Sequence, residues 1–478
     1  MKKLFAKHDL FKIIGITFII ALALAWIIPM GQLSGTTVET YGVGSIGVHD
    51  ITVSLNYAIN YVGSIALFLF ALAAFYGILS KTEGYKNLVN RAIKALKGKE
   101  IVFIVVVSFI TAVCASVFNV VEITLLFMPL IITIILGLKL DKLTAFTTTF
   151  ASVMVGILCY SFNVNLITYF IQPIGLELTE GLAVRLGIGL LGFILLTYFN
   201  VIHAKNTLAK KNLKADTFED PFAVEITDVK DTKKAKSPMM AMVIILVGIA
   251  IIAVLGYVSW MNIFEIKVFD EMHKAVMEFI VGTDYAIFKN IIGNSAVAFG
   301  DWDIMGMVSV LAVATVLVKF IYRIKFDDLI DNAANGIKKF LKIYGVLIGV
   351  YLIFVIPLSI QFIPTMLQWF TSLTNGFNPF LTAIGSSLVS VISPEFGFYG
   401  YSTAGFFTAM YPDVSSTILT ILVAMNGLLA FVAPTSVMLV IGLKYMEIPY
   451  GTWIKYIWKF VLGLLVCLTI MFALLTYM

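Results

Sequence analysis

The chain has 478 residues, of which 60% are hydrophobic and only 13% charged, and its mean hydropathy is +0.99. A soluble globular protein carries roughly 25% charged residues, so that class is excluded and a multi-span membrane protein is indicated. The net charge of +5 is modest and sits in loops, which suits membrane orientation and argues against nucleic-acid binding.

The apolar runs exceed what strands need and lack the two-residue alternation of an outer-membrane barrel, so the spans read as helices. Lys2, Lys3, Lys7 and Lys12 precede the first run, Ile13 to Met30. It resembles a signal peptide, but it is long enough to span and no clear small-x-small cleavage site follows, so a retained helix with a cytoplasmic start is expected. Gly31 to Ser54 has no Lys or Arg and reads as an external loop with a short hairpin. A second span, Val62 to Ser80, returns inside. Lys81, Lys86, Arg91, Lys94, Lys97 and Lys99 then flank apolar positions Leu88, Ala92, Ile93 and Leu96 at helical spacing, which predicts a helix lying along the cytoplasmic membrane interface.

From Ile101 to Leu138 the apolar run holds one amide, Asn119, and one acid, Glu122. A single crossing would put the later lysine-rich loop outside. A re-entrant hairpin turning near Asn119 to Glu122, or two closely spaced spans, keeps the positive charge inside. Leu143 to Gly175 is uncharged and interrupted by Ser161-Phe162-Asn163-Val164-Asn165, and Leu182 to Val201 returns. Ala204 to Ser237 mixes Lys205, Lys210, Lys211, Lys214, Lys230, Lys233, Lys234 and Lys236 with six acids and reads as a mobile cytoplasmic linker. Pro238 to Trp260 leads out to an external segment, Met261 to Asp301.

Ile304 to Tyr322 crosses inward and Tyr344 to Ile360 crosses outward. Ile343 to Leu443 contains no Lys or Arg, so Gln361 to Gly376 reads as external and Phe377 to Met410 as a second hairpin entering from outside. Ser415 to Leu443 is an uncharged run broken by Ala433-Pro434-Thr435-Ser436. Proline removes a helix hydrogen bond, and hydrocarbon offers no water to the freed carbonyls. Such a break faces a protein-lined cavity, where half-helix ends can hold a substrate or coupling ion. Glu177, Gly181 and Arg185 match Glu447, Gly451 and Lys455 at one constant spacing, as an internal repeat would.

The expected fold is therefore an all-α integral membrane protein built from two inverted repeats with re-entrant hairpins and discontinuous helices, in about nine full spans plus two hairpins. Residues 1–203 form the first repeat, 204–237 the cytoplasmic linker, 238–302 the connecting span and external segment, and 303–478 the second repeat. The N-terminus is expected inside and the C-terminus outside.

Glu122 and Glu395, the latter within Ser393-Pro394-Glu395-Phe396-Gly397, are acids set deep in the two hairpins. Their cost in the bilayer marks an ion, proton or substrate path. Asn119, Asn163, Asn165, Ser393, Asn426, Thr435 and Ser436 gather at the same hairpin tips and helix breaks and complete the candidate site, although each alone could simply glue helices together. Phe396, Phe398, Tyr399 and Tyr401 could cover a substrate or form an interfacial belt. Cys114, Cys159 and Cys467 are widely spaced core residues, and His8, His49, His203 and His273 lie outside the spans. No catalytic constellation, metal site or cofactor is expected, except sodium or a proton as coupling ion. The expected partners are a small-molecule substrate and the lipid bilayer, with a homo-oligomer allowed.

At these motifs the chain resembles the YfcC-like family of bacterial carriers, grouped with the anaerobic four-carbon dicarboxylate carriers in the ion transporter superfamily. The likeness covers most of the chain and includes Ala25-Trp26-Ile27-Ile28-Pro29-Met30-Gly31-Gln32, the hairpin Phe118 to Pro129, Pro434-Thr435-Ser436 and Ile448-Pro449-Tyr450-Gly451. It implies two inverted repeats and transport of small organic anions or amino acids, arginine–ornithine exchange among them. The chain departs from the family at Asn163-Val164-Asn165-Leu166, where Asn-Pro-Phe-Thr is usual, at Ser393-Pro394-Glu395, and at Asn426, where Asp is usual. No Lys or Arg is expected mid-membrane, which favours a zwitterion or cation over a bare dianion. The expected function is a secondary active transporter moving a small amino acid or carboxylate by alternating access, ion-coupled or exchanging. A four-carbon dicarboxylate is the alternative substrate, and a channel-like pore or a non-transporting membrane scaffold the alternative class.

Overall fold

The computed structural model of the protein describes residues 9–209, 220–224, 233–281 and 285–477. Lys2, Lys3, Lys7, His8, Lys210, Lys211, Lys214 and Lys230 lie outside the described residues. Helix α1 (Asp9–Ile27) leads into a hairpin of β1 (Pro29–Ser34) and β2 (Thr37–Val43), and α2 (Val48–Leu79) follows. Helix α2 starts inside the stretch expected to be a loop, because Gly47 and Asp50 cap it: Gly47 N donates to Asp50 Oδ2 at 2.8 Å. Next come α3 (Glu83–Leu96), α4 (Glu100–Val117), a 3-10 turn (Val121–Phe127) and α5 (Met128–Gly137). The first discontinuous crossing consists of α6 (Lys142–Phe146), a π-helical turn (Thr147–Ala151), α7 (Ser152–Leu158) and, beyond a break, α8 (Val164–Leu166); α9 (Leu182–Ala209) returns.

Helix α10 (Lys233–Tyr257) connects to α11 (Trp260–Phe264), α12 (Val268–Met277), the short strands β3 (Ile280–Val281) and β4 (Tyr285–Ala286), and α13 (Ile287–Ile292). The second half then repeats the succession: α14 (Ile304–Ile321), α15 (Phe326–Ser359), α16 (Ile363–Thr371), a hairpin of α17 (Pro379–Ile392) and α18 (Phe396–Met410), a discontinuous crossing of α19 (Ser415–Ala430) and α20 (Val437–Tyr445), and α21 (Tyr450–Tyr477). Among the described residues, nine helices are long and apolar enough to cross a membrane. The count agrees with expectation, but the membership differs: α4 is among the nine, and the first discontinuous crossing, assembled from short pieces, is not.

The two halves are inverted. Helices α2 and α15 occupy equivalent places and run antiparallel, with the rings of Tyr61 and Phe354 5.3 Å apart, those of Phe70 and Tyr344 5.8 Å apart, and Gly77 against Asn332 and Gly336. A Cβ at Gly77 would come within 3.2 Å of the Gly336 Cα, so bare glycines let these backbones close up. That matters in a bilayer, where packing rather than water exclusion drives helix association. The β1–β2 hairpin marks one end of the molecule, since Gly31 N donates to Gln361 O at 2.8 Å beside α16. Helix α3 marks the other, lysine-rich end.

Each hairpin returns to the end of the molecule from which it leaves. The first leaves α3 through α4 and comes back through α5 to pack on α3 and α6. In the second, Phe377 and Tyr411, at the hairpin's two ends, have rings 5.5 Å apart. The first discontinuous crossing lies beside the second, and the backbone of Leu158, where α7 stops, fills the space a side chain at Gly427 would need.

Three places show contacts that the sequence does not reveal. The apolar stripe of α3, Leu88, Ala92, Ile93 and Leu96, is half-buried, while Tyr85, Val89 and Asn90 are covered where the helix packs on α10 and α5. Residues Asp220–Val224 of the expected mobile linker are tucked into the protein, with Phe222 1% exposed. A buried cation does occur: Arg185, early in α9, is 0% exposed, donates to the carbonyls of Glu180 (2.8 Å) and Leu178 (3.1 Å), and lies beside Cys159.

Candidate functional site

Both hairpin tips and both helix breaks meet at one cavity of about 500 Å³. Its walls from α2 and α15, Tyr61, Tyr351, Phe354 and Leu358, belong to the parts of those helices nearer the β1–β2 end. The first tip is shaped by the end of α4, where Phe118 turns to extended backbone, after which the 3-10 turn begins at Val121 and presents Glu122. Pro394 and the extended backbone of Ser393 and Glu395 stop α17 and start α18, leaving Glu395 at the N-cap of α18 without a capping hydrogen bond from its side chain.

The expected site residues Asn119, Glu122, Asn163, Asn165, Ser393, Glu395, Asn426 and Ser436 all line this cavity. Thr435 does not: it is fully buried, and its hydroxyl donates to Val391 O at 2.6 Å, tying the second break to the second hairpin. Of the aromatic candidates, Phe396, Phe398 and Tyr401 line the cavity. Tyr399 is buried behind it, donating to Leu422 O at 2.9 Å.

Several lining groups are already engaged. Asn163 donates through Nδ2 to Phe118 O at 2.6 Å and accepts at Oδ1 from Asn165 N at 2.8 Å, so it builds the break and joins it to the first tip. Asn119 donates through Nδ2 to Gly300 O at 2.5 Å, while its buried Oδ1 has no hydrogen-bond partner. Asn426 Nδ2 donates to Ser390 Oγ at 3.0 Å. The hydroxyl of Tyr351 donates to Glu395 Oε1 and fixes the carboxyl toward α15.

Sequence reasoning missed Tyr61, Tyr160, Tyr169, Tyr351 and Phe354. They lie in long apolar runs where an aromatic ring is ordinary core, and the repeat gives no mark on them. Tyr160 packs edge-on against Phe396 with ring centroids 4.7 Å apart, so the first break and the second hairpin share one aromatic wall. The site therefore offers two carboxyls, several amides and hydroxyls, tyrosine faces and the N-termini of α18 and α20. No Lys, Arg or His among the described residues lines it. Among the described residues there is no cluster of His, Cys, Asp or Glu suited to a metal ion.

The C4-dicarboxylate anaerobic carrier family model, DcuC, matches residues 4–477. The chain belongs to this family. It is a multi-pass membrane protein and a secondary transporter. No curated protein matches the chain. Among solved structures, the Alcanivorax borkumensis YdaH transporter, described as having an unusual topology, is similar over 97% of each chain at 13% identity and a TM-score of 0.41.

Proposed function

We propose that this carrier moves a small amino acid across the cell membrane by alternating access, with its ammonium group held by Glu122 and Glu395 and its carboxylate by backbone N–H groups at the N-termini of α18 and α20. The observation that carries this reading is a cavity holding two carboxyls and a tyrosine-rich wall but no basic side chain. A cation is favoured there by charge and by the ring faces. Helix N-termini with unpaired N–H groups favour an anion. Asn119, Asn165, Ser393, Asn426 and Ser436 set the substrate's orientation, while Asn163 and Thr435 hold the breaks in shape.

The family's description favours a second substrate, a four-carbon dicarboxylate. It would require the glutamates to be protonated or sodium to be bound beside them. In either case coupling is to a proton or sodium, by symport or exchange. The lysine-rich end faces the cytoplasm by the positive-inside rule, which places the first residue inside and the last outside. The units 1–203 and 303–478 act as the two repeats around the cavity, joined by 204–237 and 238–302.

Purified protein in proteoliposomes tests the reading through counterflow of labelled amino acids and of C4 dicarboxylates, with and without sodium and across pH. Saturable counterflow of an amino acid is expected, with a thermal stabilisation of about 3 kcal/mol at a hundredfold excess over Kd. Counterflow of a dicarboxylate alone would replace the proposed substrate. Unsaturable flux would replace the carrier cycle with a pore.

A further inference from the structure

Phe222, in the segment connecting the two halves, is 1% exposed. Its ring lies among those of Tyr76, Phe340 and Tyr445, with centroids at 5.7, 6.2 and 6.4 Å. Beside it, Asp220 accepts from Thr133 Oγ1 at 2.5 Å and from Phe222 N at 3.0 Å, and the Tyr445 hydroxyl lies near the same carboxylate. Lys339 Nζ donates to Pro221 O at 3.3 Å. These partners come from four different places: α2 (Tyr76), α5 of the first hairpin (Thr133), α15 (Lys339, Phe340) and α20 beyond the second break (Tyr445).

The location matters as much as the fit. Val121 and Glu122 line the cavity on one side, and Val437 and Met438 on another. One turn further along the same elements, Leu125 and Ile441 line a small apolar pocket together with Leu69, Leu72, Phe340 and Tyr445. Phe340 and Tyr445 are also Phe222's neighbours. The cavity, this apolar neck and Phe222 thus follow one another toward the lysine-rich end. A water-excluding neck sealed by an aromatic plug is a barrier to any polar solute, and an ordered Asp220 and Phe222 must release their contacts before α5 and α20 can separate from α2 and α15.

We propose that residues 220–224 are the latch of the inner gate: docked, they close the route from the cavity to the lysine-rich face, and withdrawn, they let it open. The proposal rests on the alternating-access reading. Residues 220–224 are then a moving part of each cycle.

In a chain with Cys114, Cys159 and Cys467 replaced by Ala, Phe222→Cys and Phe340→Cys are joined by a short thiol crosslinker that a reductant can cleave. Uptake is expected to fall at least about tenfold on crosslinking and to return on cleavage; undiminished uptake by fully crosslinked protein overturns the latch. A second measurement requires no transport. Leu125→Cys, buried in the neck, is exposed to a membrane-impermeant maleimide from the lysine-rich face. Labelling is expected to rise about fivefold when Phe222→Ala is added, or when Asp220→Asn is added should the larger cut fail to fold. Equal labelling with and without these changes overturns the proposal. Absence of counterflow in the wild-type chain would instead reject the transport reading, independently of the latch.

Discussion

The two hairpin tips occupy equivalent places in an inverted repeat, yet they are held very differently. The first is anchored from outside its own repeat: Phe118 bridges Val258, Asn119 N donates to Tyr257 O at 2.9 Å, and the Asn119 amide reaches Gly300. Asn163 and Asn165 add hydrogen bonds from the first break. At the second tip, Ser393 Oγ donates to Glu395 O within the tip itself at 3.3 Å, and the Glu395 side chain is held by Tyr351. Repetition of a sequence pattern therefore fixes where a tip lies without fixing how firmly it is held. The first tip is tied to the connecting span as well as to its own break, whereas Thr435 and Asn426 tie the second hairpin to its own break.

The largest effect is expected at the anchored tip. Glu122→Gln keeps size but puts an amide donor in place of one carboxyl oxygen and removes the acid, and initial uptake should drop about 100-fold, near 2.7 kcal/mol, with the folded protein unchanged by size-exclusion chromatography. Uptake within twofold of wild type would remove Glu122 from the site. At the other tip, Tyr351→Phe frees the Glu395 carboxyl from its one side-chain donor; a loss of about tenfold is expected, since hydrogen bonds to charged groups contribute about 1.5–3 kcal/mol. If that change lowers uptake more than Glu122→Gln does, the second tip rather than the first contributes more to the site.

Stability separates the tips further. Asn119→Ala leaves the Gly300 carbonyl without its donor and should cost about 1–3 kcal/mol, read as a lower thermal midpoint in detergent, whereas Ser393→Ala should cost under about 1 kcal/mol. Equal shifts would erase the contrast. The smallest change serves as a reference away from both tips. Asp141 caps α6 by accepting from Thr144 N at 2.9 Å and faces His203 Nε2 at 2.8 Å. Burial alone would raise its pKa, but the hydrogen bonds of His203 and Thr144 outweigh that and hold it below the ordinary aspartate value. A carboxyl depressed in the fold contributes stability above its unfolded pKa of about 3.9 and loses it as pH falls through its own lower value. Asp141→Ala should therefore cost about 1 kcal/mol at neutral pH, and the gap from wild type should close in strong acid.

Much of this was legible in the sequence because the bilayer constrains composition so strongly. Uncharged runs, a proline inside one of them, and two lone glutamates locate the spans, the second break and both tips. The absence of Lys and Arg from Ile343 to Leu443 marks a whole half. What escaped depends on contacts that leave no compositional trace. A tyrosine such as Tyr351 reads the same whether it faces a core or a carboxylate. The stripe on α3 has the pattern of an interfacial helix, and that pattern is silent about the buried face that Tyr85, Val89 and Asn90 present to α5 and α10. Phe222 stands among charged residues that suggest a solvated linker, and a single aromatic anchor is too short a signal to overturn that reading. Arg185 was visible as a charge near a helix start, but its burial comes from the fold of the preceding loop, whose carbonyls accept from both of its terminal nitrogens while its Nε has no partner.

The meeting of Gly427 with Leu158 has a mechanical consequence. Each crossing is interrupted, and an interruption on its own would be a hinge free to bend by itself. Here the backbone of one seats in the hollow left by a missing side chain on the other, so the two joints mesh like gear teeth. Any side chain added at Gly427 would meet the Leu158 backbone and wedge the two crossings apart.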